Sequence, residues 1–95
     1  MYTKSTATLA TQQAERIAKR LVNHWKHKFE VKENRVVFEI MLPNATVVLE
    51  PNAEYLAVSI IFLEEPDNPT QLENIVLDHL IRMGQEQLVA NWQRN

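Results

Sequence analysis

The sequence predicts an α+β fold, with an antiparallel β-sheet of four to six strands and two helices packed on one face, in the order (β)αββββαβ. Two segments, residues 11–27 and 69–84, carry apolar residues at helical spacing. Between them, the apolar residues follow a two-residue period that is broken by turn residues. The chain of 95 residues has the length of a single domain, which we expect to span residues 1–95.

The first helix follows a short strand predicted at residues 4–9. Thr11 is the expected N-cap, and the helix is expected to end near His27. One apolar stripe along this helix is formed by Ala14, Ile17, Ala18, Leu21, Val22 and Trp25. The cations Lys26 and Lys28, together with His27, suit the negative end of the helix dipole.

Four strands joined by hairpin turns are predicted between the helices. The predicted strands cover residues 29–32, 36–40, 46–49 and 55–63. The predicted turns are Glu33-Asn34-Arg35, Pro43-Asn44 and Pro51-Asn52. In the last strand, one face that we assign to the core carries Leu56, Val58, Ile60 and Phe62.

The second helix has a clear start signal. Asn68 is the expected N-cap, Pro69 occupies the first helical position and Gln71 lies three residues after the cap. The helix is expected to end at Gly84, because glycine readily adopts the left-handed C-cap conformation. The tail then alternates Leu88, Ala90 and Trp92, which predicts a last strand.

Composition excludes several classes of function. The chain has no cysteine, which rules out disulfides, thiolate metal sites and cysteine nucleophiles. Gly84 is the only glycine, so there is no glycine-rich phosphate loop. The longest apolar run, Ile60 to Leu63, is far too short to span a membrane, and the first residues lack the apolar core of a signal peptide. We therefore expect a cytoplasmic protein with no membrane partner.

Charge is unevenly placed along the chain. Residues 1–35 hold eight Lys or Arg and three Glu, whereas residues 36–95 hold two Arg and nine Asp or Glu. The overall pI is about 5.9, and domains that bind nucleic acids are usually basic. We predict no nucleic-acid partner, and we expect the basic and acidic parts to pair within or between subunits.

The three histidines are the best candidates for metal binding or acid–base chemistry. Helical spacing places His24 at the edge of the buried stripe, His27 at the surface and His79 on the core-facing stripe of the second helix. If the helices are antiparallel, His24 and His79 lie about nine residues, or roughly 14 Å, apart along the axis. That distance is too large for one metal, so we predict no metal site and a hydrogen-bonded, structural His79. The alternative is a two-fold dimer in which His79 of one chain lies beside His24 of the other.

Two motifs resemble those of a bacterial family, the domain of unknown function 2218. The segment His24-Trp25-Lys26-His27-Lys28-Phe29 is similar to its His-Trp-x-His-Lys/Arg-Phe signature, and Asp78-His79-Leu80 and Trp92 match as well. The resemblance covers roughly residues 5–93. It implies no assigned activity, but it does imply an accessory role in iron handling beside a flavin-dependent siderophore-interacting protein. The chain departs from the pattern at Leu42-Pro43-Asn44 and Met83-Gly84-Gln85, so ligand contacts of relatives there do not carry over.

We expect a non-enzymatic binding or accessory protein that works as a homodimer. Two apolar surfaces favour the dimer. They are the second face of the longest strand (Tyr55, Ala57, Ser59, Ile61, Leu63) and the outer positions Leu77 and Ile81 of the second helix. We predict no catalytic residue and no cofactor, because no nucleophile or acid–base set is evident.

The alternative function is binding of a metal or a small anionic ligand through the three histidines and the basic end of the first helix. The candidate ligand-binding residues are His24, Trp25, His27, Lys28, His79 and Trp92. Trp25, Phe29 and Trp92 are predicted to be core aromatics, with a stacking platform for an aromatic ligand as the other interpretation.

Overall fold

The computed structural model describes residues 3–34, 37–64 and 67–95. Its elements are β1 (Lys4–Ala10), α1 (Ala14–Trp25), β2 (Glu30–Glu33), β3 (Phe38–Met41), β4 (Ala45–Pro51), β5 (Tyr55–Phe62), α2 (Pro69–Gly84) and β6 (Gln93–Arg94). This order confirms the predicted α+β fold. Two predicted hairpin residues, Arg35 in the turn and Val36 in the strand, lie outside the described residues.

The strands form one antiparallel sheet of six strands in the order β2-β3-β4-β5-β1-β6. The first strand therefore returns beside the longest one, with Leu9 opposite Leu56. On the other side of β5, Val47 lies opposite Ile60. Because side chains alternate along a strand, these four residues point to the same face, and all four are fully buried.

Both helices cover this buried face. The predicted stripe of α1 is buried from Ala14 to Trp25, and α2 contributes Val76 and Leu80. One hydrophobic core joins these side chains to the inward side chains of the strands. No helix of the described residues covers the opposite face of the sheet, and none is long and apolar enough to cross a lipid bilayer.

The first helix is shorter than predicted. It begins after the N-cap Gln13 and ends at Trp25, so the expected N-cap Thr11 was wrong. The Thr11 hydroxyl accepts a hydrogen bond from the Gln13 amide at 3.1 Å and donates one to the Glu86 carboxylate at 2.7 Å. The Thr11 side chain, which the sequence pattern assigned to capping, thus makes a tertiary contact with the segment after α2 instead.

The end of α2 also differs from the prediction. Gly84 is the last helical residue, and the left-handed conformation belongs to Gln85, with φ of 50°. A Cβ atom on Gly84 would lie 2.8 Å from the Ile17 Cδ1 atom and 3.0 Å from its Cγ1 atom. The glycine therefore makes room for the Ile17 side chain where the two helices meet, rather than forming a turn.

We expect Gly84→Ala to lower the free energy of unfolding by about 1 kcal/mol, at the low end of overpacking costs, because only the Ile17 side chain must shift and alanine favours a helix more than glycine does. Ile17→Val removes the nearest atom, so the same Gly84→Ala change should cost less in that background. Denaturant unfolding of the four proteins in this cycle measures the coupling. An equal cost in both backgrounds would show that the helix contact is not the reason for the glycine.

The C-terminal strand is much shorter than predicted. Only Gln93–Arg94 pairs with β1, and the Asn95 amide adds a 2.8 Å hydrogen bond to the Lys4 carbonyl. Leu88 is buried and Trp92 is half-buried without forming a strand. Leu77 and Ile81 of α2 are partly buried and pack against the core of the same chain. Each keeps a part of its side chain exposed, and their contribution to an intersubunit surface stays a prediction.

Candidate functional site

A groove opens between the end of α1, the first half of α2 and the turn between β3 and β4. Its volume is about 1000 Å³, against about 590 Å³ for a second cavity near the start of α1. The apolar part of its wall consists of Trp25, Phe29, Leu42, Phe62, Leu72 and Ile75. The polar groups include Lys28, Asn44, Asn68, Gln71 and His79. A concave wall that combines apolar side chains with polar groups can hold a small molecule.

Trp25 forms the centre of the aromatic wall. Its carbonyl ends α1 by accepting hydrogen bonds from the Lys28 and Phe29 amides, both at 2.9 Å. This turn brings the Phe29 ring edge-on to Trp25, with ring centroids 6.0 Å apart and the planes at 90°. The Trp25 side chain keeps only a small exposed fraction, 6%. It is therefore a core residue whose edge lines the groove.

His79 stands on the other side of Trp25. The centroids of these two rings are 5.0 Å apart, and the His79 ring is half-buried in the groove wall. Its Nδ1 atom lies 2.7 Å from the Ile75 carbonyl oxygen. A carbonyl oxygen only accepts, so Nδ1 carries the proton and Nε2 of the neutral ring is an acceptor. The predicted hydrogen bond to backbone is present, but the predicted position inside the core was wrong.

His24 and His79 are neighbours within one chain. Their ring centroids are 5.7 Å apart, so the predicted separation of roughly 14 Å was wrong. The helices are antiparallel as expected, with Ile17 packed against Gly84 and Arg20 donating to the Met83 carbonyl at 2.9 Å. Because these contacts join the start and middle of α1 to the end of α2, the first turns of α2 lie beyond the end of α1. The prediction assumed helix ends that lie side by side.

A family model described as "Uncharacterized protein conserved in bacteria (DUF2218)" matches residues 6–93. The chain belongs to the DUF2218 family. This confirms the resemblance that the two histidine motifs indicated. None of the curated proteins matches the chain.

The fold has a counterpart among solved structures. The NMR structure of PA4090 from Pseudomonas aeruginosa is 31% identical to this DUF2218 chain, with a TM-score of 0.77. The match covers 98% of this chain and 96% of that protein. The similarity therefore extends over both helices and the whole sheet.

The two histidine-containing segments singled out in the sequence meet at the groove. Trp25, Lys28 and His79 line it, and His24 touches it through the His79 ring while its own side chain is exposed. His27 lies exposed in the turn after α1. Trp92 precedes β6, which lies beyond β1 at the opposite edge of the sheet from β2 and β3. The structure thus brings four of the six candidate residues together and leaves His27 and Trp92 apart.

The two neighbouring histidines do not by themselves form a metal centre. Within the described ranges, no group of three or more His, Asp or Glu side chains is arranged to hold a metal ion. His24 and His79 would supply two ligands, whereas zinc sites use at least three protein ligands. Metal binding through all three histidines of one chain therefore has no geometric support.

A second polar cluster, which the sequence analysis missed, lies under β1 and β6. The Glu73 side chain on α2 is buried, with an exposed fraction of 2%. It accepts a 2.6 Å hydrogen bond from the Ser5 hydroxyl and two from the Arg94 guanidinium, at 3.1 and 2.8 Å. Burial by itself raises the pKa of Glu73, but the hydrogen bonds and charge of Arg94 and the Ser5 hydroxyl bring the pKa below its ordinary value.

Proposed function

We propose that this DUF2218 protein is a non-enzymatic binding protein whose groove takes a small amphipathic molecule with an aromatic or aliphatic body and an anionic group. The observation that carries the proposal is the convergence of Trp25, Lys28, Phe29 and His79 on one cavity of about 1000 Å³. The rings of Phe29 and His79 are partly exposed and can stack on a planar ligand, while Trp25 contributes the edge of its ring.

Exposed apolar side chains at the groove support an apolar ligand body. Leu63 and Ile75 line the groove with exposed fractions of 67% and 41%. Large aliphatic side chains beside a cavity mark a surface that gains stability when it is covered. Removing such surface from water contributes about 25 cal/mol per Å².

The charges around the groove support an oriented ligand. Lys28 supplies an ammonium group near the end of α1, while Glu64 and Asp67 lie on the connection between β5 and α2. An anionic group is attracted toward Lys28 and repelled from the two carboxylates. The Nε2 acceptor of His79 adds a hydrogen-bonding position in the groove wall.

The contacts of His79 support a binding role over catalysis. The ring is oriented by the Ile75 carbonyl and by neighbouring rings, and no carboxylate of the described residues orients it as a general base. An accessory role in iron handling and a cytoplasmic location remain predictions. They rest on the family resemblance and on the sequence.

The groove is tested with the fluorescent anion 1-anilinonaphthalene-8-sulfonate, whose aromatic body and sulfonate match the proposed ligand chemistry. We expect saturable binding at one site per chain, and we expect Ile75→Glu to weaken it at least about tenfold, or ~1.4 kcal/mol. Val89→Glu is the matched control, because Val89 is also exposed, at 69%, and does not line the groove. Equal loss of binding in both variants, or no binding by the wild type, would contradict the proposal.

A second pair of measurements tests the anionic end of the same site. Lys28→Ala should weaken binding of the sulfonate probe, because it removes the cation at the end of α1. Binding of the neutral probe N-phenyl-1-naphthylamine should not change. If both probes lose affinity equally, Lys28 acts through the shape of the groove and the anionic ligand class is wrong.

A further inference from the structure

The face of the sheet opposite the helices is not covered by any helix of the described residues. We call it the open sheet face and define it by the outward side chains of β1, β4 and β5. These are Lys4, Thr6, Thr8, Ala10, Thr46, Val48, Glu50, Tyr55, Ala57, Ser59 and Ile61. Eight of the eleven are uncharged and either small or β-branched. Such a face is flat enough to pack closely against another sheet.

The size of the open sheet face suits a second copy of the chain. The molecule measures 33 × 27 × 22 Å, and six strands spaced ~4.8 Å apart fill the two longer dimensions. Since β2, β3 and β6 continue the same side of the sheet beyond the open sheet face, the outward side of all six strands offers on the order of 800 Å², which is what one partner contributes to a stable interface. Ile61 lies within it with an exposed fraction of 40%.

The two charged residues of the face occupy symmetric positions around Ser59. Lys4 pairs with Ile61, two residues beyond Ser59 on one side. Glu50 pairs with Ala57, two residues beyond Ser59 in the other direction and on the opposite neighbouring strand. Ser59 is thus the midpoint of the line between Lys4 and Glu50.

We propose that the open sheet face binds a second copy of this chain through a two-fold axis at Ser59. The axis runs parallel to the sheet, between the two copies and over Ser59. It is perpendicular to the line from Lys4 to Glu50, so it turns each of these positions onto the other. Lys4 of each copy then faces Glu50 of the partner, twice in the dimer. Strand spacing of ~4.8 Å and rise of ~3.3 Å per residue give a crossing of roughly 70° between the two sets of strands, which is close to orthogonal sheet packing.

This surface is independent of the groove. The helices cover the inward face of the sheet and contribute Trp25 and His79 to the groove, whereas Lys4, Glu50 and Ser59 lie on the outward face. Variants that separate the dimer should therefore keep their binding of the anilinonaphthalene probe. Failure of one proposal does not decide the other.

Light scattering after gel filtration, at tens of micromolar protein, tests the dimer. We expect about twice the 11.1 kDa mass of the chain and a monomer for Ser59→Arg, because each of the two arginines would meet its symmetry mate at the axis. Lys4→Glu and Glu50→Lys should each weaken the dimer at least about tenfold, because like charges then face each other.

Charge reversal identifies the axis. The double variant Lys4→Glu with Glu50→Lys should restore the dimer, since the pairs are re-formed with exchanged signs. The control is Lys19→Glu, which breaks the 2.8 Å ion pair with Glu15 on the helix layer and should leave the dimer unchanged. Circular dichroism checks that every variant is folded. A monomeric wild type would overturn the dimer, and a double variant no more dimeric than either single variant would overturn the axis.

Discussion

Trp25→Ala is expected to lower the free energy of unfolding by about 3–5 kcal/mol, which is the usual cost of truncating a buried tryptophan. The side chain is 6% exposed and contacts the rings of Phe29 and His79. Its removal leaves a cavity where α1, α2 and the sheet meet. For a chain of this length the melting temperature should fall by more than about 10 °C.

Trp92→Ala is the matched control for this prediction. Trp92 is the same residue type, but it is half-buried and packs at the edge of the core. It should therefore cost clearly less than Trp25→Ala in thermal and denaturant unfolding. If the two variants are equally stable, Trp25 does not contribute more to the stability of the core than Trp92 does. Its role in the groove would then be ligand binding alone.

The periodicity of the apolar residues was sufficient to predict the layers of the fold. Alternation in β5 placed Leu56, Val58 and Ile60 in the core, and all three are buried. The stripe of α1 from Ala14 to Trp25 was also correct. These signals are local, because burying one face of a strand or helix imposes a fixed period on the sequence.

The relative position of the helices could not be predicted in the same way. It depends on Gly84, where the missing side chain makes room for Ile17. A lone glycine near a helix end is more often a C-cap, and the sequence gives no sign of the residue that it faces. The error about the distance between His24 and His79 follows directly from this missing contact.

The candidate site was predictable only in part. The motif resemblance named Trp25, Lys28 and His79, which do line the groove, whereas Phe62 and Ile75 come from segments without any motif. A groove between several segments depends on tertiary packing, which local patterns do not encode. One signal in the sequence could have indicated the buried Glu73. It lies three residues before the core residue Val76 on α2, and residues at this spacing share one face of a helix.

The second large effect is expected from Arg94, which forms an ion pair with the buried Glu73. Arg94→Met should lower the free energy of unfolding by about 2–3 kcal/mol, because it leaves a buried carboxylate with the Ser5 hydroxyl as its remaining partner among the groups named here. The effect stays below the about 3–5 kcal/mol of a fully buried pair, since the Arg94 side chain is 38% exposed. Gln93→Met, a change in the same short strand, should have little effect.

A neutral partner separates the buried charge from the loss of packing. Glu73→Gln keeps an amide oxygen that can accept the Ser5 hydrogen bond but removes the charge. The double variant Glu73→Gln with Arg94→Met should therefore be more stable than Arg94→Met alone. If the double variant loses as much stability as the two single variants together, then Arg94→Met does not leave an unpaired charge on Glu73. Arg94 would instead act through packing or through its 2.9 Å hydrogen bond to Thr70.

The dependence of stability on pH gives an independent measure of the same charge. The pKa of Glu73 in the folded chain lies below its ordinary value near 4.5, so the carboxylate stabilises the fold above that pH. This stabilisation is lost as pH falls through the folded-state pKa. Without Arg94, the effect of burial dominates, and we expect the pKa of Glu73 to lie above its ordinary value. The charged Glu73 side chain should then destabilise the fold, and its protonation in acid should remove this destabilisation. Denaturant unfolding between about pH 7 and 3 measures both slopes. A Glu73→Gln reference subtracts the contribution of the other carboxylates, among them Glu86. Equal slopes in the two backgrounds would contradict the ion pair.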